Sequence, residues 1–369
     1  MKTKFRILAA LLALSLCLGL AACGGETPAG TAPSEAEATP AETAADTAPA
    51  EAPAEPEPTE SPVSLPGLSW PVEEAEGPTA VSYPYIVRTE TAVWHLSKDD
   101  MELLGDEAYC AGLEQMLQNA NADFVEAQAL LAPWLWEEIP PVDIYTDFSG
   151  HMEESRTFGA YYRGQAKDIR LFHNWNAAGQ SLLHEYVHYL SFSCTDKPII
   201  MNLWADALAE YVSCYACRNR MARTAYLAMM DPETVEEGRK YGLLDEDGCL
   251  DPARMLLFQA ERIKAPENVE QKYGSISQAF IIRTERMNEH PSYTTISYPE
   301  AGAILAYLVE TYGEDLVFGH WDTEPSDMEE VYGKGFEELY RDWEVWNLAK
   351  CGELGIRLDL AKADAEKAS

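Results

Sequence analysis

Within the 369-residue chain, the pattern richest in chemistry is His184-Glu185-Tyr186-Val187-His188, an H-E-x-x-H. Residues four apart share one helix face, so two imidazoles can converge there on a single cation, with Glu185 beside the remaining coordination position. A cation held in that way activates water, and a neighbouring carboxylate can take the water's proton. The pattern therefore points to metal-assisted hydrolysis with Glu185 as general base. Catalytic zinc takes three protein ligands and keeps one position open. Two further acids, Asp206 and Glu210, are again four apart, within Trp204-Ala205-Asp206-Ala207-Leu208-Ala209-Glu210-Tyr211. Either is a candidate third ligand to one Zn2+ ion alongside His184 and His188.

These residues need helices to present them. Leu182, Leu183, Val187 and Leu190 recur at helical intervals and predict a helix over 177–192. Pro198 separates it from a second predicted helix over 201–220. Upstream, alternation predicts a strand over 84–96, a long helix over 107–132, a short strand over 142–145 and a hairpin from 159–162 and 168–172. Downstream, apolar helices are predicted over 301–312 and 335–348, and the polar stretch 231–295 carries the weakest boundary signals. The fold class read from this order is α+β.

The pairing of H-E-x-x-H with a carboxylate on the next helix, in a W-x-x-E-G-x-A-x-Y-like setting, resembles the gluzincin metallopeptidases, the thermolysin-like group. The resemblance implies a zincin-like fold, a small mixed sheet carrying the active-site helix, followed by a mostly helical C-terminal half. It implies Asp206 as third zinc ligand and Glu210 as the acid bracing a ligand histidine. Asp206 is one methylene shorter than the family's Glu, which leaves Glu210 as the alternative ligand, and Ala207 replaces the family's glycine. The oxyanion of a tetrahedral intermediate needs a donor. Tyr298-Pro299-Glu300-Ala301-Gly302 resembles the segment that supplies it, with Tyr298 as the candidate and Tyr293, His290 and His320 as alternatives. By the same analogy the strand at 168–172 would offer its edge to an extended peptide or protein substrate. The order of elements follows small bacterial gluzincins over residues 81–350, closing with Tyr332-Gly333-Lys334, Phe336-Glu337-Glu338-Leu339 and Trp343.

The N-terminus sets the compartment. Lys2, Lys4 and Arg6 precede an apolar run over 7–22, the layout of a secretory signal. Leu20-Ala21-Ala22-Cys23 resembles a bacterial lipoprotein signal, which implies removal of residues 1–22, lipid on Cys23 and a place in the bacterial cell envelope outside the cytoplasm. Acyl chains add about 0.8 kcal/mol per buried methylene, so the lipid is the expected membrane attachment. No internal run of 18 or more apolar residues provides another. Residues 24–80 carry 12 Asp/Glu and no Lys or Arg among Ala, Pro and Thr, which reads as a disordered, self-repelling spacer over 23–80.

The domain expected at 81–369, with a sheet subdomain over about 81–195 and a helical one over about 196–369, keeps 50 acidic and 24 basic residues. Its net charge, about −26 of the whole chain's −35, argues against a nucleic-acid partner and against anionic substrates. Six cysteines remain there, Cys110, Cys194, Cys214, Cys217, Cys249 and Cys351, which in an exported chain permits disulfides. Cys214-x-x-Cys217 lies inside a helical pattern with no second such pair, and reads as core or disulfide. The function expected is a cell-surface zinc metallopeptidase. The alternative is a catalytically inactive relative acting as a surface binding module. Oligomeric state and cleavage preference have no motif here.

Overall fold

The computed structural model describes residues 64–147, 159–172, 181–199, 202–263, 291–323 and 327–361. The signal segment, Cys23, the spacer up to residue 63 and His290 lie outside the described residues. The first half forms a six-stranded mixed sheet: β1 (Val72–Glu74), β2 (Tyr85–Arg88), β3 (Ala92–Leu96), β4 (Val142–Thr146), β5 (Ala160–Arg163) and β6 (Asp168–Leu171), in the order β1-β2-β3-β4-β6-β5. β3, β4 and β6 run parallel; the other neighbours are antiparallel.

Period-two alternation decides which side is core. Val87, Trp94, Ile144, Ile169 and Tyr162 stand in register across five strands, and all are buried. The adjacent row turns the other way, where His95 stacks on Tyr145 with ring centroids 4.2 Å apart and Arg170 covers the same ring at 4.0 Å.

After β3 come α1 (Lys98–Leu104) and α2 (Asp106–Leu131), whose buried stripe runs from Tyr109 through Leu113, Leu117, Ala120, Phe124 and Ala127 to Leu131. The H-E-x-x-H helix α3 (Ser181–Ser193) packs on α2, β5 and β6. Next are α4 (Asn202–Glu210), a π-helical segment (Tyr211–Ala216), α5 (Arg220–Met229), α6 (Pro232–Tyr241) and α7 (Pro252–Ile263). Then α8 (Pro291–Tyr312) packs against α4 and α7, α9 (Glu314–Gly319) and α10 (Met328–Tyr332) follow, and α11 (Phe336–Glu353) closes over α7 and α8. The chain is thus α+β, a mixed sheet followed by a mostly helical remainder. No described helix is long and apolar enough to cross a membrane.

Several expectations change. Residues 84–96 are a hairpin, not one strand: Thr89 N donates to the Ala92 carbonyl and its hydroxyl oxygen accepts from Ala92 N, a turn made without Gly, Pro or Asn. The region 201–220 is interrupted after the π segment, where Cys217 is extended and Asn219, at φ 45°, caps α5 by accepting from Ala222 N. The strand at 168–172 is not an edge, because β6 is paired on both sides by β4 and β5. The first arm of the same hairpin, β5, takes the edge instead. Among the described residues sheet structure begins at Val72, inside the stretch whose composition reads as spacer, with Leu65 and Val72 both buried. None of the six cysteines is disulfide-bonded.

Candidate metal centre

The rotation of α3 about its axis is set from behind. Tyr186 stacks on Phe124 of α2, 3.8 Å between centroids and 8° from parallel, while its hydroxyl oxygen accepts from Gln128 Nε2 at 2.6 Å. Tyr189 donates to the Pro140 carbonyl at 2.7 Å. With these tyrosines held against α2 and the 132–140 connection, helical spacing turns His184 and His188 toward α4.

There the two Nε2 atoms lie 3.1 Å apart, and Asp206 Oδ1 is 3.3 Å from that of His188 and 3.6 Å from that of His184. These three side chains form a buried group able to hold a metal ion. Glu210, one turn beyond Asp206, brings Oε1 within 3.1 Å of Nδ1 of His184, an ion-pair contact without hydrogen-bond alignment, and so sits on the far side of that ring. Tyr298 is buried in α8 with its ring edge-on to His184, centroids 5.6 Å apart. His320 is exposed and spends Nδ1 on the Leu316 carbonyl.

Glu185 is fully buried. Its Oε2 accepts from the backbone N–H of Tyr162 at 2.7 Å, whereas Oε1 has no hydrogen-bond partner among the described residues. The Gly159–Phe172 hydrogen bond fixes the hairpin register so that Tyr162 N–H faces away from β6, and the edge strand thereby meets the H-E-x-x-H helix. No sequence signal marks Tyr162, because a backbone donor on an edge strand can belong to any residue.

The electrostatics of the group call for positive charge. Burial opposes a proton on His184, but Asp206 and Glu210 outweigh it and push the pKa up to about 10. Burial likewise raises the carboxyl of Asp206, yet His184 and His188 bring it below its ordinary value. Burial raises Glu185, and His188 and His184 offset this only in part. A histidine raised from its ordinary 6.5 to about 10 stabilises the fold fully below pH 6.5 and loses that contribution as pH climbs toward 10. Metal-stripped protein is therefore expected to melt at lower temperature at pH 9.5 than at pH 6.5, while the metal-loaded form, with a cation replacing the proton, keeps its midpoint. In a domain of this size 2 kcal/mol corresponds to about 3 °C. Parallel melts with and without chelator check it, and an equal pH response in both would contradict the assignment.

Close approach of α8 to α4 completes the centre. A Cβ on Gly302 would lie 2.6 Å from Glu210 Cβ and 3.2 Å from Leu256 Cδ1, so only glycine fits where α8 crosses the acid-bearing helix. Gly302→Ala is expected to cost about 1–3 kcal/mol by overpacking and to weaken metal binding by displacing Glu210. Thermal melts and a metal titration measure both, and unchanged values in each would show that the crossing yields freely. Pro299 lies inside α8, so the helix begins at Pro291, ten residues earlier than apolar periodicity alone predicts.

No family model matches the chain, and neither a curated protein nor a solved structure matches it.

Proposed function

We propose that this chain is a zinc metallopeptidase of the gluzincin kind, held at the cell surface by an acylated Cys23. The observation carrying this reading is the meeting of His184 Nε2, His188 Nε2 and Asp206 Oδ1 beside the buried Glu185, whose Oε1 has no hydrogen-bond partner among the described residues. A tetrahedral zinc with ligands at about 2.0–2.1 Å separates its donor atoms by roughly 3.3 Å, close to the 3.1–3.6 Å of this triangle. Two imidazoles and a carboxylate suit zinc's mixed nitrogen and oxygen preference. Three ligands rather than four leave a position for water, as in catalytic rather than structural zinc sites.

Zinc so bound would supply a nucleophilic water near neutral pH and polarise the scissile carbonyl. Glu185, one residue from His184 and one turn before His188, takes the water's proton on Oε1 and delivers it to the departing amine nitrogen, so that the amide and water become an acid and an amine. The Tyr162 N–H keeps Oε2 engaged, leaving Oε1 to make that transfer. Glu210, with Oε1 3.1 Å from Nδ1 of His184, stands where a carboxylate can orient a ligand histidine and fix its tautomer. Tyr298, against the same ring, is the candidate oxyanion donor.

The test is zinc content and peptide cleavage on one preparation. One zinc per chain, with library cleavage lost on chelation and regained on zinc, is the expected result; a full complement of zinc without cleavage would overturn the peptidase reading. The near-complete burial of His184, Glu185, His188 and Asp206 favours a second reading, a surface binding module that keeps the centre without turnover. It predicts stoichiometric peptide binding unaffected by chelation.

A further inference from the structure

Asp206, Glu210 and Cys214 follow one another at intervals of four, so a single face of α4 and its π-helical continuation carries a metal-group acid, the acid on His184 and a thiol. The two oxygens of Glu210 face different partners: Oε1 is 3.1 Å from His184 Nδ1, and Oε2 accepts from the Cys214 Sγ–H at 3.3 Å. A terminal carboxylate turns freely about its last torsion, with a broad and shallow preference, unless both oxygens are engaged. Cys214 supplies the second point of attachment, while Gly302 on α8 abuts the Cβ of the same side chain. The thiol sits in the π segment Tyr211–Ala216, a widened turn of the sort that recurs at functional sites.

We propose that Cys214 is a positioning residue for the metal centre: its thiol proton holds the Glu210 carboxylate against Nδ1 of His184, and so keeps Nε2 of that ring turned toward His188 and Asp206. The inference rests on the reading of this group as a metal site and adds a residue that does not itself touch the ion. Cys214 and Cys217 then differ in role, although they belong to one C-x-x-C. Cys217 is buried, and its backbone N–H donates to the Val212 carbonyl.

The experiment titrates Co(II) into the full chain and follows both affinity and the visible d–d spectrum. Cys214→Ala is expected to raise the Co(II) Kd about tenfold, the low end for residues that support ligands, and to change the spectrum. Cys214→Ser, which keeps a donor, restores both to near the wild-type values, and Cys217→Ala, which removes a neighbouring buried thiol, leaves both unchanged. In a Glu210→Gln background Cys214→Ala adds no further loss, because the thiol acts through that carboxylate. A wild-type affinity and spectrum in Cys214→Ala, an absent rescue by Ser, or an equal loss in the Gln background would each overturn the positioning role while leaving the metal reading intact. Wild-type protein that binds no Co(II) or zinc would remove both.

Discussion

Glu185→Gln is expected to retain a full complement of zinc and to lose peptide hydrolysis by about 100- to 10,000-fold in kcat, the range for a displaced general base. The retention follows from position: Glu185 lies outside the His184, His188 and Asp206 group, and an amide oxygen can still accept from Tyr162 N–H as Oε2 does. The loss follows from chemistry, because an uncharged amide cannot accept the water's proton. The substitution also removes a buried carboxyl whose pKa is raised by burial, so the fold is not expected to weaken. Metal analysis and kcat on the best library peptide, from the same preparations, form the measurement. Turnover that survives Glu185→Gln with zinc bound would mean that water is activated elsewhere, and the mechanism above would fail.

The parts of this arrangement legible in sequence are those governed by local periodicity. The 3.6-residue spacing in α2 and α3 and the alternation in β4, β5 and β6 each reflect one buried face, and the structure has elements there within a few residues of the expected ends. Local pattern fails where the backbone is turned by a single unremarkable residue. Thr89 closes a hairpin with its hydroxyl, and Asn219 starts a new helix from a left-handed conformation inside a run that otherwise reads as continuous helix. The polar region after residue 231 held usable signals, since Asp231-Pro232 and Asp251-Pro252 each put a capping acid before a helix-starting proline; Asp231 accepts from Thr234 N and Asp251 from Arg254 N.

Motif spacing brought His184, Glu185 and His188 onto one helix, but which acid meets them depends on how closely α4 approaches, a tertiary quantity. The edge of the sheet was illegible for a similar reason. Strand order decides it, and in this sheet the last strand in sequence, β6, is not the last in space.

The approach of α4 also sets what the two acids should do when removed. Asp206→Ala deletes the carboxylate 3.3 and 3.6 Å from the two Nε2 atoms, leaving two ligands, and is expected to weaken zinc binding by well over 100-fold, beyond the roughly 10- to 100-fold range of supporting residues. Glu210→Gln keeps all three ligands and is expected to fall within that range. The two variants should also differ in pH dependence. Below about pH 10 zinc must displace the proton that Asp206 and Glu210 hold on His184, so wild-type affinity should rise about tenfold per pH unit from that proton alone. Glu210→Gln removes one of the two acids that raise His184, so its affinity curve should flatten at a lower pH than the wild-type curve. Zinc competition titrations between pH 6 and 9 read both effects. A larger loss in Glu210→Gln than in Asp206→Ala would exchange the roles of the two acids, making Glu210 the ligand and Asp206 its support.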